Sequence, residues 1–265
     1  MNYQTLTIKL DGEIATLTFN RPDKRNAMSP EMIRELMEAL DEVESGPAKV
    51  LILTGAGRAF SAGMDLAALR ALASATAAEE SARLSREDSR RIAAMFRRIF
   101  DFPKVTIAAV NGPAIAGGCG IATFCDFTLA SPEAKFGYTE VRIGFMPALV
   151  SVFLIRQIGE KRARDLLLTG RLIDAEEAHR AGMVNEVVPA EHLLERAREL
   201  ATQLLEVSPT SLVHTKQLLR DFNRAELDRE LEVAIRANAG IRATADFREG
   251  LSSFLEKRKP AWTGQ

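Results

Sequence analysis

The stretch Ala109 to Asp126 reads AVNGPAIAGGCGIATFCD and places Gly117, Gly118 and Gly120 where a helix begins after a strand. Glycine weakens a helix, so three of them in the first turn imply a close approach to the backbone. The first N–H groups of such a helix have no partner within it, and the positive end of the helix dipole stands behind them. That place suits a negative group. A phosphate and a developing oxyanion are the two candidates, and the segment carries neither GxxxxGK[ST] nor GxGxxG with a later acid. The plainer alternative is that the glycines only let the strand and helix pack closely. A second glycine-bearing loop, TGAGRAFSAGMDL from Thr54 to Leu66, follows another expected strand. Two strand ends can then each offer one N–H to a shared oxygen.

The elements that must position these loops follow from periodicity. Residues 5 to 19 alternate apolar and polar about Asp11-Gly12, with Leu6, Ile8 and Leu10 set against Ala15, Leu17 and Phe19, as in a hairpin. Ser29-Pro30 caps a helix with the stripe Met32, Ile33, Leu36, Met37, Leu40 and Val43, and the strand Val50 to Leu53 follows. A helical region ending near Phe100, a break at Pro103, the strand Val105 to Val110, the glycine-rich helix and a strand from Asp126 to Ala130 continue a βαβ rhythm.

After about residue 145 the pattern is mostly helical. It includes Lys161 to Leu168 and Asp174 to Ala181, with Asp174 and Glu177 at capping-box spacing and Gly182 at the end. A short strand, Val184 to Val188, interrupts. Ser208-Pro209 opens another helix, and Phe247, Leu251, Phe254 and Leu255 mark the apolar face of a last one. The alanine-rich Leu66 to Glu80 reads as a surface helix or a mobile lid. The class is a layered α/β core with a C-terminal helical part.

Composition narrows the function classes. The chain has 265 residues, 46% hydrophobic and 27% charged, and 35 Lys+Arg balance 36 Asp+Glu to a net charge of -1. Such a balance offers no bulk attraction for nucleic acid or an anionic membrane. No stretch approaches ~18 uninterrupted apolar residues and the start lacks a basic region before an apolar run, so a cytoplasmic, unprocessed protein is expected. Cys119 and Cys125 fit no metal-ligand set and read as reduced, buried and structural. His179, His192 and His214 have no serine, cysteine or acid nearby in triad-like spacing. A hydrolase built on Ser61 or Cys119 is therefore the weaker enzyme reading, and neither residue lies in GxSxG.

In order and spacing, FSAGMDL, NGPAIAGGCGIATFCDFTLAS and AKFGYTEVRIGFMP resemble the crotonase superfamily, the enoyl-CoA hydratases and isomerases. RPDKRNAM, Arg21 to Met28, and LLLTGRLIDAEEAHRAGMVNEVVP, Leu166 to Pro189, extend the resemblance to most of the chain. The resemblance implies a ββα-spiral acyl-CoA-binding core over residues 1–190 and a C-terminal helical oligomerisation region over 191–265, assembled as a homotrimer or hexamer. It implies an oxyanion hole on the N–H groups of Met64 and Gly117, with Ala62, Gly118 and Gly120 beside the thioester and Asp65 holding the loop. Gly117 and Gly118 would let the thioester carbonyl approach with no Cβ in the way. Lys24 and Arg25 fall where relatives meet the phosphates of coenzyme A. Phe254 and Lys257 fall in a tail that reaches a neighbouring subunit's site, with Phe254 read more safely as a core residue. No metal and no cofactor beyond the substrate's own coenzyme A are implied.

The chain departs from the family pattern at one point. Typical hydratases carry two catalytic glutamates; the first maps onto Gly120 and is missing, and the second maps onto Glu140. Judged alone, Glu140 is one of 36 acidic residues. With it as single acid/base, both hydration of a 2-enoyl-CoA and isomerisation of a 3-enoyl-CoA are open, and hydration is narrowly preferred. Glu79, Glu80, Glu87 and Asp88 are candidates for a replacement acid. A non-catalytic acyl-CoA-binding protein is the alternative from another class.

Overall fold

A two-residue turn at Gly12-Glu13 closes β1 (Leu6–Asp11) on β2 (Ile14–Phe19), with Leu6 opposite Phe19, Ile8 opposite Leu17 and Leu10 opposite Ala15. The register is the one the alternation predicts. The structure is a computed structural model that describes residues 3–73 and 78–265. Ser29 accepts a hydrogen bond from Met32 N and so caps α1 (Pro30–Ser45), whose predicted stripe is buried except for the half-buried Met37. The chain returns through β3 (Val50–Gly55), α2 (Leu66–Ala73), α3 (Ala78–Phe100) and β4 (Val105–Val110). Next come β5 (Ala114–Ile115), α4 (Gly117–Phe124), β6 (Phe127–Ala130) and β7 (Lys135–Gly137). After these, α5 (Ala148–Ile158), α6 (Glu160–Thr169), β8 (Ile173–Asp174), α7 (Ala175–Ala181) and β9 (Glu186–Val187) complete the sheets.

One sheet runs β1-β2-β3-β4-β6-β9, antiparallel in the first pair and parallel beyond, and a small sheet runs β5-β7-β8. A parallel strand is covered on both faces, which is why all six residues of β4 are buried. Strand period 2 sorts β3 between two cores. Leu51 and Leu53 face α1 and α3, whereas Val50 and Ile52 join Leu193, Ala197 and Ala201 of α8 (Leu193–Leu205).

The last strand ends at Val187, and only helices follow: α8, α9 (Pro209–Asp221), α10 (Arg224–Ile241) and α11 (Ala245–Leu255). The first of these closes the outer face of the main sheet, so a helix beyond residue 190 is part of the core's own layering. The strand expected over Val184 to Val188 shortens to β9, because Met183 and Val184 turn into the core instead. Asp174 caps α7 through Glu177 N, but the Glu177 carboxylate leaves the capping box and pairs with Arg171.

The apolar face expected of α11 is cut short. Phe247 and Leu251 are buried, whereas Phe254 is 59% exposed and Leu255 is exposed as well. Gly250 sets the helix directly on the Ile143 carbonyl, and the next turn runs past the edge of that contact. Phe254 is therefore not a core residue. The alanine-rich segment forms α2 and the start of α3, and Leu69 of α2 packs with Phe247 and Leu251. The remainder of that segment, residues 74–77, lies outside the described residues.

Candidate active site

Backbone hydrogen bonds bring the two glycine-bearing loops together. Phe60 N and Ser61 N both donate to Pro113 O, at 3.1 and 3.2 Å, and Ile115 N donates back to Ser61 O at 2.9 Å. The segment before α1 joins the same loop, with Met28 N donating to Gly63 O at 2.8 Å and Asp65 N to Met28 O at 3.0 Å. Gly63 has φ +85°, and a Cβ built there would stand 3.5 Å from Gly117 N. The residue after it is Met64. The turn carrying Met64 thus abuts the start of α4.

Ala116 precedes that helix at φ +52°, ψ −123°, a state that residues with a Cβ rarely adopt. Strain of this kind persists where the surroundings over-determine it, and it turns the next peptide, that of Gly117. Ala116 N is held by Gly137 O at 2.7 Å. The N–H groups of Met64 and Gly117 have no acceptor among the described residues. The adjoining loops thus each leave one donor unfilled, and that of Gly117 lies at a helix N-terminus.

The protein's own packing accounts for all three glycines. A Cβ on Gly117 would lie 2.7 Å from Met28 Cε and 3.3 Å from Phe96 Cζ, and one on Gly118 would lie 2.8 Å from Ser61 Cβ. One on Gly120 would lie 2.8 Å from Val150 Cγ1 and 3.2 Å from the Phe124 ring. These contacts fit the plainer explanation, in which glycines let the strand, loop and helix pack closely. We expect Gly118→Ala to destabilise the fold by about 3 kcal/mol, the upper part of the overpacking range, because Ser61 backbone must shift. A melting temperature equal to wild type would contradict this contact.

Glu140 opens a 3-10 turn, Glu140–Ile143, and is buried. Its Oε2 has no hydrogen-bond partner. Burial pushes the carboxyl up to about 7, and the residue's own N–H offsets part of that rise. A carboxylic acid that titrates near neutrality with a free oxygen is suited to taking and returning a proton.

The expected loop-holding role of Asp65 has a specific partner. Its Oδ2 accepts from both Nη atoms of Arg21 at 3.2 Å, and Oδ1 accepts from Ala67 N at 3.2 Å. Sequence reasoning missed Asn26, which is wholly buried at φ +54° and donates to Ala56 O and Ala59 O at 2.9 and 2.8 Å. Its signal was available: asparagine tolerates the left-handed region, and this one sits between a turn and a helix cap. Lys24 and Arg25 are exposed on the 3-10 turn Pro22–Lys24 and its cap, without ion pairs among the described residues. Arg25 O accepts from Ala62 N at 2.9 Å, which fixes this basic turn beside the Met64 loop.

Several candidates fall away from the site. Glu80 and Glu87 pair with Arg83 on an exposed face, and Asp88 is buried against Arg242 at 2.8 Å. Glu79 is exposed. The replacement acid expected among these four is not set up by their contacts. Ser61 Oγ donates to Asn26 O at 2.8 Å, and burial pushes the Cys119 thiol up to about 12, so neither is prepared as a nucleophile. His179 Nδ1 meets Val184 O and exposed His192 meets Glu195. Lys257 is exposed just beyond α11. Among the described residues, no cluster of three or more His, Cys, Asp and Glu is placed to hold a metal ion, and no helix is long and apolar enough to cross a membrane.

With two strand-end loops joined by backbone hydrogen bonds, a free N–H on each and a buried carboxyl on the same chain, the crotonase-type architecture is in place. The family model described as enoyl-CoA hydratase/isomerase matches residues 9–265, and the chain belongs to that family. It is 47% identical to a putative enoyl-CoA hydratase of Thermus thermophilus over 94% of this chain and 97% of the relative. It is 36% identical to the crotonyl-CoA hydratase of Syntrophomonas wolfei over 98% of each chain. The crystal structure of an enoyl-CoA hydratase/isomerase from Xanthobacter autotrophicus superposes with a TM-score of 0.88 at 31% identity, covering 98% of this chain and all of the other.

Proposed function

We propose that this protein hydrates the 2,3 double bond of an enoyl-CoA thioester with Glu140 as its single acid/base. The observation that carries the reading is the buried Glu140 carboxyl with its unpartnered Oε2. In this reading the N–H groups of Met64 and Gly117 hold the thioester oxygen. The Glu140 carboxylate takes a proton from water as the water oxygen bonds to C3, and the double-bond electrons move into the thioester as an enolate. The same carboxyl then delivers that proton to C2, which regenerates the thioester carbonyl and the carboxylate. Preorganised donors at an enolate oxygen contribute roughly 3–4 kcal/mol each when they are removed by mutation in comparable sites. Lys24 and Arg25 supply charge for the coenzyme phosphates, beside Ala62. Exposed Leu218, Leu219 and Phe222 on and beyond α9, with Phe254 and Trp262, support assembly as a trimer or hexamer.

A second reading, migration of a double bond from C3 to C2 of the acyl chain, draws on Gly120. The side chain of Val150 stands over it, so no second carboxylate assists water from that position. One base suffices to move a proton from C2 to C4 through an enolate. A product assay with short 2-enoyl and 3-enoyl thioesters separates the readings: a 3-hydroxyacyl-CoA from 2-enoyl substrate supports hydration. Conversion of 3-enoyl to 2-enoyl without hydration supports isomerisation. If neither occurs and deuterium does not enter C2 of a saturated acyl-CoA, the chain is a binding protein and both fail.

A further inference from the structure

Several surface arginines in this protein face carboxylates. Arg34 pairs with Glu31 and Glu38, Arg83 with Glu80 and Glu87, and Arg171 with Asp165 and Glu177. The groove between α3 and α10 gathers several that do not. It encloses about 830 Å³ and is lined by Arg86 and Arg90 from α3, Arg236 from α10, Arg242 just beyond it, and Arg248 from α11. Glu232 is the sole carboxylate among the lining residues. None of Arg86, Arg90, Arg236 and Arg248 has an ion-pair partner among the described residues; Glu79 and Glu87 border the outer side of α3 without pairing to Arg86 or Arg90.

The helical spacing explains why the charges converge. Ala82, Arg86 and Arg90 form one i, i+4 row, and Glu232, Arg236 and Gly240 form the facing one. Small side chains keep the floor open: Ala82, Ala239 and Ala243 line it, and a Cβ on Gly240 would meet nothing within 4 Å. Ser85 is only 6% exposed and lines the groove, yet its hydroxyl has no hydrogen-bond partner among the described residues. Arg242, 7% exposed, is fixed by Asp88 at 2.8 Å and Asn238 at 3.1 Å, and its Nε is unpartnered. Asp88 also pairs with Arg91, so it compensates Arg242 and contributes nothing toward the four arginines above.

We infer that this groove is an anion-binding site for a compact polyphosphate group, separate from the acyl-CoA site proposed around Glu140. Four uncompensated guanidiniums against one carboxylate call for a ligand with several negative charges, and a single carboxylate would leave most of the repulsion in place. Guanidinium forks match phosphate oxygens in pairs, and the Ser85 hydroxyl is a ready donor to one more. No lining residue belongs to the Met64, Gly117 and Glu140 constellation.

Calorimetric titration of the full chain with inorganic tripolyphosphate tests the site. We expect one saturable event, weakened roughly tenfold or more in Arg86→Gln/Arg236→Gln, as loss of two charge-assisted contacts implies. Turnover of an enoyl-CoA without tripolyphosphate stays at the wild-type level in that variant. If the double variant does not fold, the two single substitutions, both at exposed positions, carry the same comparison. Absence of saturable binding, or equal affinity in the variants, overturns the inference. So does displacement of tripolyphosphate by saturating acyl-CoA but not by the matching acyl-pantetheine, because the arginines would then hold the substrate's own phosphates.

Discussion

Glu140→Gln is expected to lower turnover of enoyl-CoA thioesters by roughly 10²–10⁴-fold, the usual worth of a general base. Glutamine keeps the size and one acceptor of the side chain but cannot take a proton. Affinity for acyl-CoA should change little, because the Met64 and Gly117 donors and the Lys24–Arg25 turn are untouched. In the wild type, the ionised form does the work, so log kcat/KM should climb with pH through about 7 and level off above it. Turnover close to wild type in the variant, with both 2-enoyl and 3-enoyl substrates, would remove Glu140 from the chemistry.

The same substitution should stabilise the fold, by an amount that grows with pH. Burial raises the folded carboxyl from 4.5 to about 7, so the unfolded chain gives up this proton first. Native stability therefore falls as pH rises across that window, and the loss is complete above it. Glutamine carries no such penalty. At about pH 8 the variant should be more stable than wild type by the order of 1–3 kcal/mol, and at about pH 4 the two should match. Thermal melts at the two pH values read this directly. A loss in activity paired with a gain in stability is what a buried functional carboxyl produces, and a merely structural acid would not give it.

The second large effect is expected at Gly120. Gly120→Glu alone should fold poorly, because its Cβ meets Val150 Cγ1 at 2.8 Å and the Phe124 ring at 3.2 Å. Overpacking of this kind costs about 1–3 kcal/mol before the burial of a new carboxyl is added. Pairing it with Val150→Ala removes the nearest contact and should restore most of the melting temperature. In the double variant a second carboxylate is available, and the ratio of hydrated to isomerised product should rise. A single variant that melts like wild type would contradict the contact with Val150. A folded double variant with an unchanged product ratio would show that a carboxylate at 120 does not decide between the two reactions.

Much of this protein is legible in its sequence, because local signals act over short distances. The alternation about Asp11-Gly12 set the hairpin register to the residue, since a slip by one would send Leu6, Leu17 and Phe19 to the wrong face. Ser29, Asp174 and Ser208 each cap the helix that follows them, as their type and position require. The order of motifs placed the chain in its family, and the family model covers nearly its whole length.

What the tertiary structure decided are contacts between segments far apart in the chain. Whether Gly117, Gly118 and Gly120 leave room for a ligand or for the protein depends on Met28, Ser61 and Val150, which no spacing rule connects to them. The commitment of Asp88 to Arg242, 154 residues away, removed a candidate acid that looked free on its own helix. The exposure of Phe254 depends on where α11 meets the turn after Glu140, not on its place in an apolar stripe. Glu140 itself was one acid among 36 until the fold closed over it, because a carboxyl's proton affinity follows from how much water it loses, and that is a property of everything packed around it.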